Sequence, residues 1–267
     1  MSTLSIGTKY RMNSGYEIPA LGYGIDSAVF YLNEEPCGQA ITKSGIPRSE
    51  LFFTSKVFAQ KLNYDYAKQC IQDTLKKSGL DYVDLYLIHA PYGGPEGRIG
   101  AWKAMVEAQK EGKIRSLGVS NYGIHHLQEL ENYIKEEEAK KGKGSGGEIS
   151  VGQWEVHPWL ARPEIVEWCE KRGIIVEAYC PVIRGQRFDE PVLKQLAKKH
   201  SKTPAQILLR WSLQKGFVPL PKSVTKARIE ENAKLYDFEL TKEDLESLNT
   251  GAYAPIAWDP TISKLEE

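Results

Sequence analysis

The sequence predicts an α/β protein whose strands lie parallel in one sheet, either open and doubly wound or closed as a barrel. Three observations predict it. Short apolar or β-branched runs alternate with amphipathic stretches along most of the chain, the order that builds a parallel sheet covered by helices. The runs are apolar on both faces, as strands buried on both sides must be. The length, 267 residues, suits one α/β barrel of about 250 residues.

The elements follow in order. The opening "TKYRMNSGYEIP" holds two short alternating segments around Asn13-Ser14-Gly15, turn chemistry for an N-terminal β-hairpin. The strand candidates are then "ALGYGI", "LFFTSK", "VDLYLIH", "SLGVS", "VGQWE", "IIVEAY" and "FVPLP". Helical patterns are read over residues 34–43, 64–78, 100–111, 125–138, 163–172, 204–214 and 226–235. In the second, Ala67, Ile71 and Leu75 recur at four-residue steps and Gly79 stands at the stop. Thr203 before Pro204 suits a helix start, with the threonine as cap and the proline in the first turn. The stretch "KEEEAKKGKGSGGE", residues 135–148, reads as a solvated helix end running into a flexible loop. No linker divides the chain, so residues 1–267 are expected to form one domain.

Composition narrows the function. Lysine plus arginine and aspartate plus glutamate number 35 each, leaving no net field for nucleic acid or an anionic membrane. Any anion must be bound by local geometry. Cys37, Cys70, Cys169 and Cys180 form no CxxC pair and no zinc-type spacing, so free thiols in a reducing compartment are expected, with no metal site. With no signal-like or membrane-spanning apolar run, the expected location is cytoplasmic.

Polar residues cluster where the strands end. Asp26, Lys56, His89, Ser120 with Asn121, Gln153, Tyr179, and Lys222 with Ser223 each stand at or just past the C-terminal end of a strand candidate. That is the edge on which parallel α/β folds build sites. One such residue has an ordinary structural explanation, a hydrogen-bonded histidine or a rim ion pair. Seven strands ending this way point to a site.

In order, "DSAVFYLNEE", "FFTSKV", "VDLYLIHAP", "LGVSNY", "GQWEVHPW", "EAYCP" and "LPKSVTKARIEEN" resemble the signatures of the aldo-keto reductase family, and the likeness runs from Thr8 to about Asn249. The resemblance implies a TIM-type (β/α)8 barrel and reduction of aldehydes or ketones by hydride from NADPH. It implies a catalytic tetrad of Asp26, Tyr31, Lys56 and His89. A phenol with a pKa near 10 is a poor acid unless a cation such as Lys56 lowers it. Asp26 would hold Lys56, and His89 would bond the carbonyl oxygen. For the cofactor, it implies Ser120, Asn121 and Gln153 on the nicotinamide carboxamide and Tyr179 stacked on its ring. Lys222, Ser223 and Arg228 would bind the ribose 2'-phosphate, with Glu231 and Asn232 at the adenine. A monomer with a small carbonyl substrate is expected; the alternative is an NADPH-binding barrel that is non-catalytic or impaired, a regulatory or truncated form.

The chain departs from the family pattern in places. Gly152 stands where asparagine is common, a mild change by expectation. Phe58 and Ala90 replace tryptophans of the substrate pocket, Phe58 keeping an aromatic wall and Ala90 opening space. "HAPYGGPEGR" reads as a mobile glycine-rich loop over that pocket. The largest departure lies between Gly24 and Ile25, where one strand–helix unit is absent. About seven strands are therefore expected. Alternation from Leu21 through Tyr23 and Ile25 to Asp26 allows one fused strand, with a strip of core left uncovered and a strained or incomplete barrel of reduced stability.

Overall fold

The structure is a computed structural model that describes residues 4–22 and 25–267. Tyr23 and Gly24, the middle of the expected fused strand, lie outside the described residues. β1 (Lys9–Arg11) and β2 (Glu17–Pro19) form the expected hairpin, with Tyr10 opposite Ile18. Gly15 turns it in the left-handed region, at φ 84°, where glycine has no steric penalty. The hairpin tip plugs one end of the sheet. Asn13 Nδ2 donates to the carbonyls of Ile149 and Arg172 at 3.0 and 3.1 Å, and Ser14 Oγ lies 2.7 Å from Ser116 Oγ.

Six parallel strands follow, each paired with the next in sequence: β3 (Thr54–Val57), β4 (Val83–Ile88), β5 (Ile114–Ser120), β6 (Ile149–Glu155), β7 (Ile175–Tyr179) and β8 (Val218–Leu220). They correspond to six of the seven strand candidates. Sequential neighbours joined by helical crossovers are the winding of a TIM-type barrel. Along β4 the pleat sorts side chains into two cores. Leu85 and Leu87 point inward to Met12, Ile18, Val151 and Val218, while Tyr86 and Ile88 face the helices.

The covering helices are α1 (Glu34–Lys43), α2 (Tyr64–Ser78), α3 (Gly94–Lys110), α4 (Ile124–Lys141), α5 (Pro163–Glu170), α6 (Pro191–His200), α7 (Pro204–Gln214), α8 (Lys226–Ala233) and α9 (Lys242–Ser247). Asn63 caps α2 through the Tyr66 amide, Gly79 ends it at φ 67°, and Thr203 caps α7 as expected. α6 and α9 have no counterpart among the sequence expectations. Of the glycine-rich loop expected over the pocket, residues 94–98 are instead the start of α3. Gly97 and Gly100 have no room for a Cβ against Leu62 and Tyr64, so these glycines permit close packing. The flexible loop expected after α4 docks at its end, where Gly146 O accepts from Trp102 Nε1 at 2.8 Å.

The seventh candidate, "ALGYGI", is shared between the two edges of this wall. Gly22 N donates to Pro219 O of β8 at 3.1 Å. On the other side Ile25 O accepts from Thr54 N at 3.0 Å, and Ser27 N donates to Thr54 O at 2.8 Å, so that Asp26 bridges β3 in parallel. Residues 20–22 and 25–27 are thus the two sides of a seam. A cavity of about 210 Å³ lies along it, lined by Ile18, Leu21, Ile25, Phe52, Val218 and Glu177 among others, the expected uncovered strip. Beyond the seam, α1 is tied down by the buried carboxylate of Glu34, which accepts from Ser55 Oγ of β3 and Thr74 Oγ1 of α2, both at 2.6 Å. Among the described residues no helix is long and apolar enough to cross a membrane.

Candidate active site

The C-terminal ends of the strands surround a cleft of about 770 Å³. Lys56 lies on the inward face of β3, in register with Leu87, and is wholly buried. A buried ammonium must be satisfied. Its Nζ donates to both Asp26 oxygens at 2.8 and 2.7 Å and to Ser27 O at 2.8 Å. Tyr31 ends a short 3₁₀ turn, Val29–Tyr31, that Leu32 stops in the left-handed region at φ 55°. The turn sets the Tyr31 ring 5.1 Å from Lys56 Nζ and its hydroxyl 3.5 Å from His89 Nε2. The four residues expected as a tetrad are brought together.

Their charges follow from the surroundings. Burial works against the Lys56 charge, but the Asp26 carboxylate, through its charge and its hydrogen bonds, with the neighbouring Tyr31 hydroxyl, outweighs it and holds the ammonium above its ordinary pKa. Burial, with the nearby Lys56 charge, drives the His89 imidazole down to about 3, so it is neutral. For Tyr31 burial is the largest influence and raises the phenol pKa, while Lys56 pulls it down and Asp26 opposes Lys56. The expected lowering by Lys56 is therefore present but does not prevail: Tyr31 stands above its ordinary value and keeps its proton at neutral pH.

A second cluster forms the floor. Ser120 Oγ donates to Gln153 O at 2.9 Å, and Asn121 Nδ2 to His89 O at 3.0 Å. Tyr179 OH donates to Asn121 Oδ1 at 2.8 Å. Asn121 adopts φ 61°, an uncommon conformation held here by these bonds. Gln153 Nε2 reaches inward to Asp26 Oδ1 at 3.1 Å and Glu177 Oε2 at 2.8 Å.

Lys222 and Ser223, just after β8, line the same cleft. Arg228, Glu231 and Asn232 lie on α8, which reaches the cleft through Ile229. Arg228 is exposed, and among the described residues no acidic side chain pairs with it or with Lys222. Lys222 lies at one end of the cleft and Arg228 on the adjoining helix, and unpaired cations of this kind fit an anionic phosphate. Of the other two, Glu231 Oε1 accepts from Thr203 Oγ1 at 2.9 Å, and Asn232 is buried.

The rim is aromatic. Phe58 stacks on Phe30 with ring centroids 5.6 Å apart, but neither ring lines the cleft itself. Ala90 is fully buried and is not part of the cleft wall. The expected opening there is absent because Trp258, from the C-terminal segment, packs edge-on to His89 at 6.0 Å and against Tyr92 at 5.8 Å. Sequence reasoning missed Trp258, which no periodicity marks, and Glu177, whose signal was a charged residue inside the apolar run "IIVEAY". No group of metal-ligating side chains is found among the described residues.

Comparison with known proteins agrees with this architecture. The model of the Aldo/keto reductase family matches residues 20–250. The chain is 43% identical over 229 residues to a glyoxal reductase of Bacillus subtilis, covering 85% of this chain and 78% of that one. It is 41% identical over 228 residues to a methylglyoxal reductase of Escherichia coli, covering 84% and 78%. An uncharacterized oxidoreductase of Schizosaccharomyces pombe aligns at 37% identity over 290 residues, with 97% of this chain and all of its own. That alignment therefore contains about 30 positions absent here, the size of one strand–helix–strand crossover. Among solved structures, a Bombyx mori aldo-keto reductase in complex with NADP superposes with a TM-score of 0.78 at 32% identity, covering 92% of this chain and 93% of that one. A family model spanning most of the chain, relatives above 40% identity and a shared barrel lead to one conclusion: the chain belongs to the aldo/keto reductase family, oxidoreductases that reduce carbonyl compounds with NADPH.

Proposed function

We propose that this chain reduces small aldehydes of the glyoxal and methylglyoxal class, with Tyr31 as the proton donor. The substrate class follows the activities named for two relatives, and a rim of Phe30, Tyr31, Phe58 and Trp258 offers apolar faces to a short carbon chain. NADPH supplies the hydride when bound. Ser120, Asn121, Gln153 and Tyr179 would hold its nicotinamide, Lys222, Ser223 and Arg228 its 2'-phosphate, and Glu231 and Asn232 would lie toward its adenine. The phosphate end is the better supported, since Lys222 and Arg228 have no internal partner whereas Glu231 bonds Thr203. We further propose a cytoplasmic monomer folded as one domain over residues 1–267.

His89 is neutral and can donate an N–H to the substrate carbonyl oxygen, polarising it. As the carbonyl carbon gains the hydride, its oxygen takes the phenolic proton of Tyr31. The phenolate left behind is stabilised by the Lys56 ammonium, which Asp26 and Ser27 O hold in place, and is reprotonated from solvent. The raised phenol pKa suits this role, because it keeps the proton on Tyr31 until a stronger base, the nascent alkoxide, forms.

The observation that carries this reading is the fixed Asp26–Lys56 pair beneath a Tyr31 hydroxyl 3.5 Å from His89. In Tyr31→Phe, kcat for methylglyoxal should fall about 10³-fold, within the usual range for a lost general acid, with NADPH affinity within twofold of the parent. Equal turnover by folded Tyr31→Phe defeats the assignment. The non-catalytic reading draws support from the seam, where Tyr31 is 44% exposed. Rapid single-turnover oxidation of bound NADPH by methylglyoxal excludes that reading.

A further inference from the structure

One buried carboxyl group has no part in the chemistry above. Glu177 lies in the middle of β7, 2% exposed and beside Gln153 in the β6–β7 register. Placing a carboxyl in a barrel interior is costly, and burial, reinforced by the Asp26 charge, raises its pKa well above the ordinary range. Its partner is the Gln153 amino group, which donates to Glu177 Oε2 and to Asp26 Oδ1. A primary amide has two N–H donors, so both point inward. Gln153 also lines the cleft, and among the described residues no donor reaches its side-chain oxygen, Oε1.

We propose that Glu177 is a positioning residue: together with Asp26 it anchors the Gln153 amide amino-end inward, so that Gln153 presents only its carbonyl to a carboxamide N–H in the cleft. Asp26 sets the polarity, because a flipped amide would bring its carbonyl against that carboxylate. Glu177 provides the second anchor and stops the amide rotating about the first. The proposal rests on reading the cleft as the NADPH site.

The test uses Glu177→Met, which removes the acceptor at similar volume, and Glu177→Gln, which keeps one. Three quantities are measured: hydrogen exchange of the Gln153 side-chain amide in glutamine-¹⁵N-labelled apoprotein, thermal melting of the apoprotein, and NADPH affinity by tryptophan quenching. Glu177→Met should speed Gln153 exchange at least tenfold and weaken NADPH binding about tenfold, while melting stays level or rises because the buried carboxyl is gone. Glu177→Gln should restore parental exchange and affinity. Unchanged Gln153 exchange in Glu177→Met overturns the anchoring, and loosened exchange with unchanged affinity overturns its purpose. Loss of cooperative melting in Glu177→Met assigns Glu177 a structural role instead. If the parent itself fails to bind NADPH, the functional reading falls, and the exchange measurement still decides whether Glu177 holds Gln153.

Discussion

The wall formed by β3 to β8 and the seam of residues 20–22 and 25–27 are held by different means. In the wall, strand pairs such as β4–β5 and β6–β7 run in register over several residues and bury both faces. The seam divides its pairing, Gly22 on β8 and Ile25 to Ser27 on β3, with a 210 Å³ cavity alongside. The candidate site spans both regions. Lys56, His89, Gln153 and Glu177 belong to the wall, whereas Asp26 belongs to the seam and Tyr31 to the 3₁₀ turn that follows it. Chemistry in this chain therefore depends on its least supported joint, and Lys56 fastens that joint from the wall side.

Breaking the fastening should give the largest effect. Lys56→Met removes the donor shared by Asp26 and Ser27 O and leaves the Asp26 carboxylate without its cation. Removing one partner of a buried pair typically costs about 3–5 kcal/mol, so the urea midpoint should drop by that equivalent and methylglyoxal turnover should disappear. A loss under about 1 kcal/mol on that scale would mean that the seam is held mainly by its backbone bonds and by Glu34.

A change within the wall should cost less. The indole of Trp154 folds back over Gly152 and fills the space a side chain at 152 would need, while Trp154 Nε1 donates to Tyr122 O at 2.9 Å. Gly152 is therefore coupled to Trp154, and the departure expected to be mild is not freely reversible. Gly152→Asn should destabilise by about 1–3 kcal/mol through overpacking, read as a lower urea midpoint at unchanged slope. An unchanged midpoint would show that Trp154 can swing away, making the wall softer than its packing implies.

The sequence spoke clearly where one period dominated. Residues 64–78 and 204–214 carry a single helical stripe with a cap at the start, and both helices have those bounds. That Asp26, Tyr31, Lys56 and His89 come together was legible from their motifs in a recognisable order. α6 was missed although Leu193 and Leu196 sit at helical spacing after Pro191, since the stretch is short and its other positions are charged or polar. Ala90 was misplaced and Trp258 unseen for one shared reason: the wall of the cleft at His89 comes from a segment with no periodicity, about 170 residues later. The seam was legible as a missing unit but not as a strand divided between two edges, because alternation reports which way side chains point and not which neighbour the backbone pairs with.

Acid sharpens the comparison by loading the wall. Buried His89 has a pKa near 3 in the folded chain, against about 6.5 when unfolded. Below 6.5 the unfolded chain takes up a proton that the folded chain refuses, so stability is complete above that pH and is lost progressively as pH falls toward 3. At pH 5 the loss from His89 is about 2 kcal/mol by this linkage. His126 of α4 is held near 3 first by burial and then by His125 and Arg98, and it adds to the same slope. Melting temperature should therefore fall between pH 7 and pH 5, and His89→Asn should flatten part of that fall. An equal slope in His89→Asn would move the acid response away from the cleft to His126 or to the ion pairs outside the barrel.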